Sequence, residues 1–189
     1  MPDKSGKYAK GDVVGAHKFA TISGDEVGIP DPSSLIHLQF RRFAGCPVCN
    51  LHLHSMMRRN DEILGAGIRE IVFFHSSAED LREHASMFPF AVVANPDKDV
   101  YRAFGVESGA RALLDPRGWG AIAGGIGRSA AAILAGREAV PSLNPHGGRY
   151  GLPADLLIAP DGCVIASKYG QYVDDQWSVD ELLGLARTA

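Results

Sequence analysis

The sequence predicts an α/β fold in which a central mixed β-sheet is flanked by helices and preceded by a short β-hairpin. Three observations carry this. Between residues 35 and 104 apolar runs of strand length alternate with segments of helical period, the pattern of parallel β-α-β units. Near the C-terminus two runs flank Pro160-Asp161-Gly162 and read as an antiparallel hairpin. The chain then closes on an amphipathic segment with its own N-terminal cap.

Taken in order, residues 18–22 and 26–29 are separated by Ser23-Gly24-Asp25 and can pair as the N-terminal hairpin. Residues 35–40 read as a strand with Ile36, Leu38 and Phe40 on one face and His37 and Gln39 on the other. A helix starts at Gly45-Cys46-Pro47, because a proline in the first turn lacks only an N–H that would have no intrahelical partner. Leu53, Met56, Met57, Ile63 and Leu64 continue it at helical spacing, and Gly65 and Gly67 end it. Residues 71–74 and 90–94 are short apolar runs suited to strands buried on both faces. Between them, residues 77–88 place Leu81, Ala85 and Phe88 on one helical face, and residues 97–104 after Asn95-Pro96 predict a further short helix. The C-terminal hairpin spans residues 155–159 and 164–168. In the final helix Ser178 and Glu181 match a capping box, Trp177 and Leu182 a hydrophobic staple, and Val179, Leu182, Leu183 and Ala186 repeat at i, i+3, i+4, i+7.

Residues 107–150 fit none of these elements and read as an insertion, a lid or an oligomer contact, within one domain spanning residues 1–189. Ile122, Ile126, Ala130, Ile133 and Leu134 can line one side of a glycine-weakened helix there. Gly124-Gly125-Ile126-Gly127 follows no strand, so it lacks the context of a phosphate cradle.

With 46% hydrophobic and 22% charged residues, the chain has the balance of a soluble globular protein. A net charge of −3 with both signs dispersed offers no basic stripe, which argues against nucleic acid as a partner. Residues 1–19 mix acidic and basic side chains without the apolar core of a signal peptide, and the most apolar stretch, 118–139, is broken by Arg128 and Arg137. A cytoplasmic protein with no membrane partner is expected. Three cysteines make no disulfide framework for a reducing compartment, so they need a chemical explanation.

Cys46-Pro47-Val48-Cys49 supplies one. At an exposed helix start, free backbone N–H groups and the positive end of the dipole favour a thiolate on Cys46, which should titrate lower than Cys49, and Cys49 one turn later can close a reversible disulfide with it. Placed after a strand in a β-α-β setting, C-x-x-C reads as a thioredoxin-like redox motif. Two other readings stay open: a zinc site drawing on Cys46, Cys49, His52 and His54, and a pair of inert core thiols. Cys163 follows the hairpin turn, far from the pair by strand length, and is read as a bystander. His17, His37, His75, His84 and His146 have no partner by spacing.

Cys46-Pro47-Val48-Cys49 after an apolar strand, together with the segment from Gly151-Leu152-Pro153 through Asp155 to Pro160-Asp161-Gly162, resembles the alkyl hydroperoxide reductase/thiol-specific antioxidant group, especially its peroxiredoxin-like and thioredoxin-like members. The resemblance covers nearly the whole chain outside the insertion. It implies reduction of hydroperoxides or protein disulfides, with Cys46 attacking and Cys49 resolving. It also implies a cis-proline at Pro153 lying against the cysteines, a thiol donor such as thioredoxin or glutathione, no cofactor or metal, and a homodimer as an added expectation. The peroxiredoxin P-x-x-x-T/S-x-x-C signature is absent, since Gln39 and Phe43 stand seven and three places before Cys46, and Pro153 falls where those proteins keep an arginine. A peroxide pocket would then draw on Arg41 or Arg42. Asp155, on the same strand face as Pro153, is a candidate to take the proton of the resolving thiol.

Overall fold

Residues 2, 6–85, 87–106, 115–136, 148 and 150–189 are described by a computed structural model. Ser23-Gly24-Asp25 turns the chain between β1 (His17–Ala20) and β2 (Glu26–Ile29), with Gly24 at φ 96°. There follow β3 (Leu35–Arg41), α1 (Pro47–Arg58), α2 (Asn60–Gly65), β4 (Ile68–Phe74), α3 (Ala78–Ala85), β5 (Ala91–Ala94) and α4 (Asp99–Ala103). From the insertion comes α5 (Trp119–Leu134), and the chain ends with β6 (Ala154–Ile158), β7 (Val164–Tyr169) and α6 (Val179–Ala186).

The main sheet has the order β5-β4-β3-β6-β7, with β3 at its centre. β3 pairs parallel with β4 and β4 with β5, while β6 runs antiparallel to both β3 and β7. The expected mixed sheet is thereby met. Ile36, Leu38 and Phe40 on β3 join Phe73 and Leu156 in a core closed by Phe104 and the hairpin residues Val27 and Ile29. The opposite sheet face is covered by α1, through Leu53 and Met56, and by α6, through Leu182 and Leu183. Each such side chain removed from water contributes about 1.5–3 kcal/mol. The α6 start is as read from the sequence: the Ser178–Glu181 capping box is complete, and Trp177 packs in one cluster with Leu182.

One local expectation changes. The helix expected to run unbroken from Cys46 to Leu64 is divided at Arg59 (φ −114°, ψ 21°), whose guanidinium is held by Glu62 and by Asp180 of α6. In α5 the buried positions are not the isoleucines and leucine. Gly125 and Ser129 face inward, whereas Ile126 is 56% and Leu134 89% exposed. The cause is close approach: a Cβ at position 125 would lie 2.9 Å from the carbonyl carbon and oxygen of Pro47 and 3.1 Å from the Val48 nitrogen. Only hydrogen fits, so α5 rests directly on the first turn of α1. Among the described residues no helix is long and apolar enough to cross a membrane.

Gly125→Val should therefore force α5 away from Pro47 and lower stability by about 1–3 kcal/mol, as overpacking does elsewhere. A lowered Tm in thermal denaturation is the expected result, and the same substitution at Gly124, where a Cβ meets nothing within 4 Å, should change Tm less.

Candidate active site

β3 delivers Arg41 and Arg42 to the C-terminal edge of the sheet, and the chain then doubles back into α1. Gly45, at φ 72°, makes the reversal, Cys46 N–H donates to Phe43 O at 3.1 Å, and Ala44 N–H donates to Ser76 Oγ at 2.9 Å. Cys46 becomes the N-cap of α1 with Pro47 in its first turn, and Cys46 Sγ accepts from Cys49 N–H at 3.4 Å. Both cysteines are free thiols, close but not at disulfide distance. The expectation of an exposed Cys46 is corrected, because Cys46 is 0% and Cys49 3% exposed. Phe43, Val48, Val173 and Leu152 pack around them, and α5 lies across the start of α1.

Arg42, itself buried, stands near both sulfurs, and its charge bears on each of them. Arg42 and Cys46 line one cavity of about 260 Å³ with Phe43, Pro47, Val48, Ile122 and Ile126. It is a largely apolar chamber with one cation and one sulfur in its wall. Burial raises both thiols, but for Cys49 the hydrogen bond with Cys46 and the charges of Arg42 and Arg41 outweigh it and bring the value down to about 5. Cys46 is pushed up by burial and by the adjacent Cys49. The pair therefore loses its first proton readily and holds its second, as coupled groups do. This departs from the expectation that Cys46 alone would titrate low. The N–H of Cys49 points at the Cys46 sulfur, and the two neighbouring thiols titrate as a pair.

Beneath the pair lies a polar cluster that periodicity alone does not reveal. His37, Gln39 and Arg41 alternate onto the second face of β3, which is fully buried. His37 lies opposite Glu70 in the β3–β4 register, and Gln39 lies opposite Asp155 in the β3–β6 register. Arg41 Nη2 donates to Asp155 Oδ1 and to Gln39 Oε1, each at 2.5 Å, and Gln39 Nε2 donates to Glu70. His37 bridges the two carboxylates, with Nδ1 2.9–3.0 Å from Glu70 and Nε2 3.2 Å from Asp155. The second Asp155 oxygen accepts from Trp177 N–H at 3.3 Å. Burial alone would keep His37 neutral, yet Glu70 and Asp155 together raise it to about 9.

No family profile matches the chain, and no curated protein matches it. Solved structures do. Peroxidoxin BcpB from Mycobacterium tuberculosis superposes with a TM-score of 0.65 at 14% identity, over 95% of this chain and 97% of that one. A peroxiredoxin 6 of Arenicola marina gives 0.66 at 13%, over 95% and 72%. A candidate thiol:disulfide interchange protein, DsbE of Chlorobium tepidum, gives 0.55 at 16%, over 98% and 99%. The fold is the thioredoxin fold.

Within that fold the residues singled out from sequence separate. Cys46, Cys49 and Arg42 come together. Asp155 is close beneath them but is committed to Arg41, His37 and Trp177, and after the cost of burial the Arg41 charge and His37 hold its carboxyl far below the usual range. It is an anchored anion and a poor proton acceptor, contrary to the relay expected of it. Pro153 is buried against Gly170, whose N–H donates to Pro153 O at 2.9 Å, while its neighbour Leu152 reaches the cysteine cluster. The cis bond expected before Pro153 is absent: among the described residues the cis peptide is Ile29–Pro30. The resemblance was its only ground, and the link it gave between this proline and the cysteines goes with it. Cys163 sits at the far end of the β6–β7 hairpin, where it bridges Val13. His146 lies outside the described residues. As for zinc, His52 accepts from Arg41 at 3.2 Å and His54 meets the Phe88 ring edge-on. Among the described residues no three His, Cys, Asp or Glu side chains are grouped to hold a metal. Sequence reasoning missed Glu70, Ser76 and Tyr101, whose hydroxyl donates to the carbonyls of Arg41 and Phe73. Glu70 alone carried a signal, an acid inside an otherwise apolar strand.

Two measurements follow from these electrostatics. Thiolate absorbance in the ultraviolet should rise by one thiolate per chain with a midpoint near pH 5, and Arg42→Met should raise that midpoint by about 1–3 units. His37, raised from its ordinary 6.5 to about 9, contributes stability that is complete below pH 6.5 and lost as pH climbs through 9. Cys49, held low, acts oppositely, its contribution being lost as pH falls through about 5. Denaturant titrations of wild type and His37→Gln should differ by about 3–5 kcal/mol at neutral pH, because the variant leaves carboxylate charge unpaired, and the gap should narrow toward pH 10.

Proposed function

We propose that this chain is a thiol-dependent oxidoreductase of the peroxiredoxin-like kind, which reduces hydroperoxides through a Cys46–Cys49 dithiol/disulfide cycle in the cytoplasm, where thiols stay reduced. The observation that carries the reading is the shared cavity: Cys46 and Arg42 line it, and the rest of its lining is apolar. The likeness in fold to peroxiredoxins supports it.

Cys46, rather than Cys49, is the attacking sulfur in this reading, because Cys46 is the one in the cavity wall. A proton passing from the Cys46 thiol to the Cys49 thiolate leaves the charge on Cys46, and the leaving alkoxide takes that proton up afterwards. The Cys46 thiolate attacks the distal peroxide oxygen, an S–O bond forms as the O–O bond breaks, and the leaving alkoxide departs as alcohol after taking a proton. Arg42 stabilises the thiolate beforehand and the alkoxide charge as it develops. Cys49 then attacks the sulfenic sulfur, forming the disulfide and releasing water. Two equivalents of a donor thiol such as thioredoxin or glutathione restore the dithiol.

A second reading, protein disulfide reduction without peroxidase activity, is favoured by the C-x-x-C spacing and by the missing threonine of the peroxiredoxin signature. It uses the same sulfurs and the same donor.

Peroxide consumption coupled to thioredoxin or glutathione should proceed in the wild type and be abolished in Cys46→Ser. Cys49→Ser should react once and retain a sulfenic acid or mixed disulfide, read by mass spectrometry after a single oxidant pulse. Turnover of insulin disulfides with no peroxide consumption would select the second reading, and a Cys49→Ser variant that never forms an adduct would reverse the two roles.

A further inference from the structure

Beyond the thiols, the described residues hold a second, smaller cavity of about 140 Å³ whose lining includes His75, Lys98, Tyr101, Arg102, Tyr150 and Gly151. Its chemistry differs from that of the thiol chamber. His75 is 1% exposed, yet neither ring nitrogen has a hydrogen-bond partner among the described residues. A buried polar group without a partner is costly and calls for a ligand or an ordered water. Burial and the neighbouring Lys98 charge bring His75 down to about 4, so at neutral pH it is an uncharged imidazole with one N–H to give.

The two cations are the second observation. Lys98 is held at φ 56°, the positive-φ exception among the described non-glycine residues, and no carboxylate is paired with its ammonium there. A lysine kept in the left-handed region where glycine or asparagine would be unstrained points to a use for its side chain. Arg102 stands one helical turn on, fixed by a hydrogen bond from Nη1 to Asp97 O at 2.8 Å. No acidic side chain is part of the described lining.

We propose that His75, Lys98 and Arg102 form a second binding site on this chain, a receptor for one oxoanion group of the carboxylate or phosphate type. The imidazole supplies a neutral donor at the back, the lysine a point charge and the arginine a planar fork at the mouth. The site adjoins the redox centre. A Cβ at Gly151 would lie 3.2 Å from His75 Nε2 and 3.4 Å from Arg42 Cγ, and the backbone N–H of His75 donates to Arg42 O at 3.0 Å. An anionic group bound there would stand one side chain away from the residue that holds the thiols. The binding claim itself does not rest on the redox reading.

The test uses two probes at constant ionic strength set with chloride: inorganic phosphate, and S-methylglutathione, which carries carboxylates but no reactive thiol. The His75 ring resonances, assigned by their loss in His75→Asn, should shift saturably with at least one probe, and which probe does so identifies the oxoanion source. Lys98→Gly should weaken that binding about tenfold or more while leaving Tm equal or higher, since glycine relieves the left-handed strain. Arg102→Gln should weaken it too. No shift of the His75 ring by either probe up to tens of millimolar overturns the proposal, as does unchanged affinity in Lys98→Gly. Loss of peroxide turnover in the wild type would leave these results untouched.

Discussion

The buried ion cluster on the second face of β3 constrains everything placed above it. Two cations, Arg41 and His37, meet two anions, Asp155 and Glu70, contributed by the strands on either side. The partners find each other only in one register, with His37 opposite Glu70 and Gln39 opposite Asp155. A slip of one residue in β4 or β6 would turn a carboxylate into the apolar core and leave its cation unpaired, at a cost of several kcal/mol. The cluster is thus weak evidence for net stability and strong evidence for specificity of strand pairing. It also sets where β3 ends, and hence where the reversal at Gly45 presents Cys46.

Neighbouring arginines are given separate tasks by this alternation. Arg41 turns down into the cluster and neutralises Asp155, while Arg42, one residue later and off the strand, turns toward the sulfurs. The arrangement lets a carboxylate and a readily formed thiolate share the interior, because each has its own guanidinium. It also leaves Asp155 a weak base, because the Arg41 charge and His37 hold its carboxyl in the anionic form.

Much of the fold was legible before any coordinates. Period-two alternation in residues 35–40, the capping box at Ser178 and the turn at Asp161-Gly162 are local signals, and each appears where expected. The Cys46–Cys49 pair and its setting at a helix start were equally plain. What was not legible depended on pairing between distant segments. His37 and Gln39 look like a solvent face until α1 and α6 are known to cover them, and Glu70 looks misplaced until it is known to oppose His37. The burial of Cys46 is not legible locally, because the helix that packs on the start of α1 lies over seventy residues away in sequence. In α5 the apolar residues mark one side of the helix, but the contact with α1 is made at Gly125, where a side chain is absent, and a pattern of hydrophobic residues carries no record of where backbones touch.

The position of α5 has a consequence for how the chamber above Cys46 could diversify. Its floor, Arg42 to Val48, belongs to the scaffold that folds the sheet, but its roof, Ile122 and Ile126, is carried by a separate stretch of chain whose backbone at Gly125 packs on Pro47. The reactive floor and the roof that limits the size of a guest are inherited on different segments. Replacements along the outer side of the helix alter the volume and greasiness of the chamber while the sulfurs, their arginine and the ion cluster beneath stay as they are. The sulfur-bearing floor and the apolar roof of the cavity thus lie on two stretches of chain that meet where α5 crosses the first turn of α1.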